Sequence, residues 1–369
     1  MAVNDPISAL EYNNIRSSIA ARVGRNVERT EHGIATSTTS SGYGRNFASD
    51  VVVGGSTFGT SDTVTEQQYF NLFLDLQAGH VHQFASVNTT NVPADFATGT
   101  TIDWDDVVDL NTIATAVSTF NHSTTEFPSA NFTTDLLRTA ASVSCSSSRN
   151  GSTNPWGGAS QVQSITHRVT VTFASHEALL WFFAAGGEIR FTASATGGTT
   201  ATANTKDWDW ARILNAMGTI RFGRVAQTNW RTESISPGTG TGSLLTSIAS
   251  GATPTTVIFE KQGGGVTGGT SGTVPVTQIY DDNFYRIRVS TNAALATATA
   301  LIFEIEFDDG DAGTGGQLES VNDPIDEPVS ATITSNVYTY VPDSEFVIDS
   351  VTYPAIQLAT PVGTVNSSL

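Results

Sequence analysis

Apolar residues recur at nearly helical spacing in the opening segment, where Ile7, Leu10, Ile15, Ile19 and Val23 lie between Asn4-Asp5-Pro6 and Gly24. Proline costs little in a first turn, where its missing amide has no helical partner, so the stripe predicts a helix over 5–24. A second helix is predicted over 65–78 from Tyr69, Phe70, Phe73, Leu74 and Leu76, with Gly79 as its expected stop. Val107, Val108, Leu110, Ile113 and Val117 predict a third over 104–120. Asp103, Asp105 and Asp106 sit at its positive N-terminal end, where carboxylates are stabilising.

The period changes further along. His167 to Phe173 (HRVTVTF) alternates as a strand does. The run LLWFFAAGGEIRF, from Leu179 to Phe191, is too short to span a bilayer, which takes about 20 apolar residues. Ser175 and Glu177 suit the start of a helix, Gly186 and Gly187 its end, and Glu188 to Thr192 a following strand. Trp181, Phe182 and Phe191 are then expected in the core, with Glu188 and Arg190 pointing away from it. A helix over 207–217 carries Trp208 and Trp210, and strands are expected over 219–223, 257–260, 274–279, 285–290 and 300–307. Residues 144–158 (SCSSSRNGSTNPWGG) have linker composition, and five prolines from Pro324 onward suggest an extended arm with strands near 337–340 and 346–351. The expected class is α+β: a mostly helical N-terminal third, then an antiparallel β-rich sheet or sandwich with covering helices. Three regions follow: a helical attachment or assembly region over 1–150, a β-rich domain with two covering helices over 160–322, and a C-terminal arm over 323–369.

Charge narrows the chemistry. A net charge of -18 argues against nucleic acid as a partner, since phosphate contacts need clustered Lys and Arg. Lysine occurs twice, at Lys206 and Lys261. The single Cys145 excludes an internal disulfide framework and a cysteine-based zinc site. The opening residues MAVNDPISALEYNN lack a basic stretch followed by an apolar core, so no secretory signal is expected and assembly in a cytoplasm is.

The candidates for chemistry are few. His80 and His82 share a face if GHVHQ is extended, as a metal pair would, against the plainer reading of a solvated loop. Asp308, Asp309 and Asp311 surround a glycine as half of a calcium loop would, but Glu319 stands at the wrong spacing to complete it, so an acidic turn competes. His167 and His176 read as packing residues, and Asp105-Asp106 as helix-start charges. No nucleophile elbow, phosphate-binding lysine loop or H-E-x-x-H helix occurs, so neither enzymatic activity nor a cofactor is expected. Ile7, Leu10, Tyr12, Ile15 and Ile19 form a narrow apolar stripe that suits an assembly interface, or equally an ordinary intradomain helix.

Several blocks carry a resemblance: ALEYNNIRSSIAARVG with SGYGR, then HRVTVTF, FFAAGGEIRF, KDWDWARILNAMGTIRFG and LIFEIEFDDGD. Over about half the chain these resemble structural proteins of tailed phages that infect cyanobacteria and other marine bacteria. The resemblance implies a virion component of tail, neck or fibre type. Long loops, an acidic surface and extended termini suit a homo-oligomer, a trimer being favoured as in many phage fibres, with other virion proteins as partners and neither nucleic acid nor membrane. A host-surface binding fibre module and a capsid decoration protein are the rival readings.

Overall fold

A computed structural model describes residues 9–23, 64–84, 87–91, 102–119, 137–147, 156–158, 162–184, 187–203, 205–222, 234–235, 248–262, 283–310, 328–342, 346–348, 351–353 and 362–368. In chain order its elements begin with α1 (Ala9–Val23), α2 (Glu66–Phe84), α3 (Trp104–Thr119), β1 (Leu137–Ser146), β2 (Ser164–Thr172) and α4 (His176–Ala184). Next come β3 (Glu188–Thr196), α5 (Lys206–Met217), β4 (Ile220–Phe222), β5 (Ser234–Ile235), β6 (Thr256–Gln262) and β7 (Phe284–Thr291). The last are β8 (Ala300–Asp308), β9 (Thr332–Pro342), β10 (Phe346–Ile348), β11 (Val351–Tyr353) and β12 (Val362–Ser368). The chain is therefore α+β with antiparallel sheets. It divides into two compact units, one of residues 1–138, 180–187 and 341–359, the other of 139–179, 188–340 and 360–369.

In the first unit, α1, α2 and α3 share one apolar core. Tyr12, Ile15, Ile19 and Val23 of α1 are buried with Tyr69, Leu72, Phe73 and Leu76 of α2 and Val107, Leu110, Ile113 and Val117 of α3. Asp103 caps α3 reciprocally: its Oδ1 accepts from the amides of Asp105 and Asp106, while its own amide donates to Asp106 Oδ2 at 2.9 Å. The expected stop at Gly79 does not occur, for α2 runs on to Phe84. A Cβ at Gly79 would lie 3.1 Å from methyl groups of both Val117 and Val23. That glycine lets three helices approach closely; it does not end one of them.

The second unit is a sandwich. One sheet has the order β1-β9-β3-β4-β5 and the other β12-β2-β8-β7-β6. β3 pairs antiparallel with β9 and β4, the short β5 runs parallel to β4, and the second sheet is antiparallel throughout. The inner faces meet through aromatic rings, with Phe303 of β8 standing 5.0 Å from Phe191 of β3 and 5.6 Å from Phe222 of β4, centroid to centroid. β-Branched and aromatic residues on alternate positions make this the expected packing of two half-buried sheets. α5 packs along β3 and sets Trp210 against Phe307 and Trp156.

Two expectations need correction, and a third holds with an addition. Residues 144–146 belong to β1, not to a linker: Ser142, Ser144 and Ser146 face out while Cys145 and Ser147 turn in. Trp181 is half-buried, although Phe182 and Phe191 are core residues as expected. Glu188 and Arg190 do point away from the inner core, yet both are buried. The helix start at Asn4-Asp5-Pro6, Ile7, Asp311 and the strand expected over 274–279 lie outside the described residues.

Candidate functional site

Among the described residues of the sandwich, three buried groupings have chemical character. The first grows out of two similar triplets. Ile189-Arg190-Phe191 of β3 and Ile220-Arg221-Phe222 of β4 are direct antiparallel neighbours, with Arg190 opposite Arg221. Like charges opposed across two strands repel. Glu188 resolves the conflict: its Oε2 accepts from Nε of Arg190 and from Nε of Arg221, each at 2.9 Å, and its Oε1 accepts from Nη2 of Arg221. The Arg190 guanidinium also lies 4.0 Å above the ring of Tyr340 on β9. A buried carboxylate thus ties β3 to β4, and Arg190 carries the contact on to β9.

The second place is the start of α5, where Lys206 and Asp207 are both buried. Thr205 caps the helix by accepting from the Trp208 amide. Asp207 receives five hydrogen bonds, from the amides of Thr199, Ser330 and Ala331 and the hydroxyls of Thr199 and Ser330. Burial alone would raise its pKa, but these donors outweigh it and hold the carboxyl below the usual aspartate range. Gly198 makes the arrangement possible, since at φ 53° a Cβ there would lie 2.3 Å from Asp207 Oδ2. Lys206 turns the other way. Its Nζ donates to Asp309 Oδ2 at 2.8 Å and to the carbonyl of Gly157 at 2.6 Å, with both side chains fully buried.

The third place lies between the sheets, where His167 Nδ1 of β2 meets Ser335 Oγ of β9 at 2.9 Å. Burial lowers the imidazole from its usual 6.5 to about 4, so it is neutral at physiological pH. The pair resembles a base and a nucleophile, but Ser335 and His167 are sealed in the inner layer, next to Phe307. Its use here is to satisfy two polar groups across the sandwich.

The residues singled out from sequence are dispersed. His80 and His82 lie two apart on α2, so helical geometry turns them to different sides: His80 stacks on Phe84 at 4.5 Å, while His82 is buried. Strand alternation divides the acidic turn in the same way. Asp309 faces the Lys206 ammonium, and Asp308 stays partly exposed with its carboxyl raised by burial and by Glu306, against the pull of Arg286 and Arg288. Among the described residues no group of three or more His, Cys, Asp or Glu is placed to hold a metal ion. Of the proposed assembly stripe, Tyr12, Ile15 and Ile19 are fully buried in the chain's own helical core, and Leu10 is exposed at 61%. Among the described residues no helix is long and apolar enough to cross a membrane.

What sequence reasoning missed was the pairing of the two Ile-Arg-Phe triplets and the engagement of Lys206. The repeated triplet was visible as a signal; the partner of Lys206, 103 residues away, was not. No protein-family model, no curated protein and no solved structure matches this chain.

Proposed function

We propose that this chain is a non-enzymatic structural component of a tailed-phage virion, in its tail, neck or fibre apparatus. In this reading a mostly helical N-terminal third accompanies the β-sandwich, and the chain assembles in the host cytoplasm as a homo-oligomer, a trimer being favoured. The observation that carries the reading is where the sandwich uses its charges. Glu188 joins β3 to β4, and Arg286 and Arg288 of β7 pair with Glu260 of β6 and with Glu304 and Glu306 of β8. These charges join strand to strand, which suits a load-bearing subunit better than a cleft for a substrate. The resemblance of the quoted blocks to phage structural proteins points the same way.

The rival with an observation of its own is a host-surface binding module, since Tyr338 and Tyr340 stand half-buried on the outer face of the β9 sheet. Quantitative mass spectrometry of purified particles tests the main reading. A fixed copy number in the tail or neck fraction supports it, and absence from particles overturns it. Specific retention on a host glycan surface, lost on Tyr338→Ala with unchanged melting, would favour the rival.

A further inference from the structure

The buried pair of Lys206 and Asp309 departs from the other ion pairs in a way that its chemistry explains. Fifteen of the seventeen basic residues are arginines, and those of the sandwich's ion pairs, Arg190 within β3 and Arg221, Arg286 and Arg288 from strand to strand, hold carboxylates as permanently charged guanidinium groups. At one fully buried pair the chain uses a lysine, whose amine can lose a proton and become a nucleophile. Nζ stands 2.8 Å from Oδ2, which brings it close to the carboxyl carbon one bond further on. Gly157, at φ 76°, closes the site: a Cβ there would lie 2.8 Å from Asp309 Oδ2, so a side chain has no room. Trp156 and Trp210, the latter one turn along α5 from Lys206, are both fully buried with rings 5.6 Å apart.

We propose that Lys206 and Asp309 are the site of a self-formed intramolecular amide cross-link. In the first step a proton passes from the ammonium to the carboxylate, giving neutral amine and neutral acid. The nitrogen lone pair then forms the bond to Cγ of Asp309. A second nitrogen proton moves to the departing oxygen, the C–O bond breaks, and one water leaves. The sum is ammonium plus carboxylate going to amide plus water, with no oxidant and no energy-rich co-reactant. The remaining N–H keeps the Gly157 carbonyl, which already accepts from Nζ at 2.6 Å, as its partner. Burial supplies the driving force, because the reaction replaces two desolvated charges by one neutral group and releases water from a fully buried site.

Intact-mass measurement of the full chain, purified folded and then denatured, tests this directly. The expected mass is lower than that of the sequence by one water. Digestion with a protease specific for aromatic residues should yield the fragments carrying residues 206 and 309 as a single species. Asp309→Asn should react with loss of ammonia in place of water, and Lys206→Met should show its full mass. A wild-type mass equal to the sequence mass overturns the proposal, as does a water loss that persists in Lys206→Met or maps to other residues. The wild-type measurement decides even where a variant fails to fold.

Discussion

At the scale of single residues, His167 makes stability depend on acid. Its folded-state value of about 4 lies below the usual 6.5 because burial disfavours the imidazolium. The unfolded chain therefore takes up a proton that the folded chain refuses. The contribution is complete above the unfolded value and is lost as pH falls from 6.5 through about 4. The loss amounts to about 3 kcal/mol at the acid end of that window. Urea denaturation at pH 7 and pH 4 should show this drop in the wild type, and a smaller one in His167→Gln; equal drops would remove His167 as the cause. Glu188→Gln tests the arginine bridge. Breaking a buried pair costs about 3–5 kcal/mol, whereas an exposed pair contributes about 1 kcal/mol or less. Glu188→Gln should therefore lower the urea midpoint strongly and Glu260→Gln, at a half-exposed carboxylate, only slightly. The alternation GEIRF told which way Glu188 and Arg190 point, but burial outside the inner core depends on Tyr340 and Arg221, which lie far along the chain.

At the scale of elements, short-range chemistry carried the reading where it was strong. Ser175 accepts from the Ala178 amide at 3.1 Å, and the Gly187 amide returns to the Phe182 carbonyl at 2.7 Å, so α4 starts and stops where its sequence says. β1 escaped because its outward row is serine and its composition resembles a loop. The end of α2 was misread because a glycine that stops a helix and one that admits a neighbouring helix look alike in sequence. Phe182 is fully buried, and Phe182→Ala should cost about 3–5 kcal/mol, giving insoluble or heat-labile protein. A soluble variant with unchanged melting would make this stretch an exposed contact surface. Gly79→Leu should destabilise the helical unit by about 1–3 kcal/mol through overpacking against Val23 and Val117, read as lost helical circular dichroism on mild heating.

At the scale of the whole molecule, the net charge of -18 is self-repulsive. Lys206, Arg190, Arg221, Arg286 and Arg288 are already engaged with carboxylates, which leaves a large acidic surplus. Surface repulsion is screened by salt more than partly buried pairs are. Raising sodium chloride from about 10 to 150 mM should raise Tm by a few degrees; a fall would show that exposed ion pairs dominate instead. Strand order has a consequence of another kind. β3 pairs along its length with β9, and β2 lies between β8 and β12, so the central partners are separated by more than a hundred residues of chain. At cellular translation speeds that separation is an interval on the order of 10 s. During it, β3 has left the ribosome with Phe191 and a long hydrogen-bonding edge uncovered, while neighbouring ribosomes carry identical edges. The period of greatest risk for this protein is thus set by the clock of its own synthesis, and restraint of that edge must act on a nascent chain.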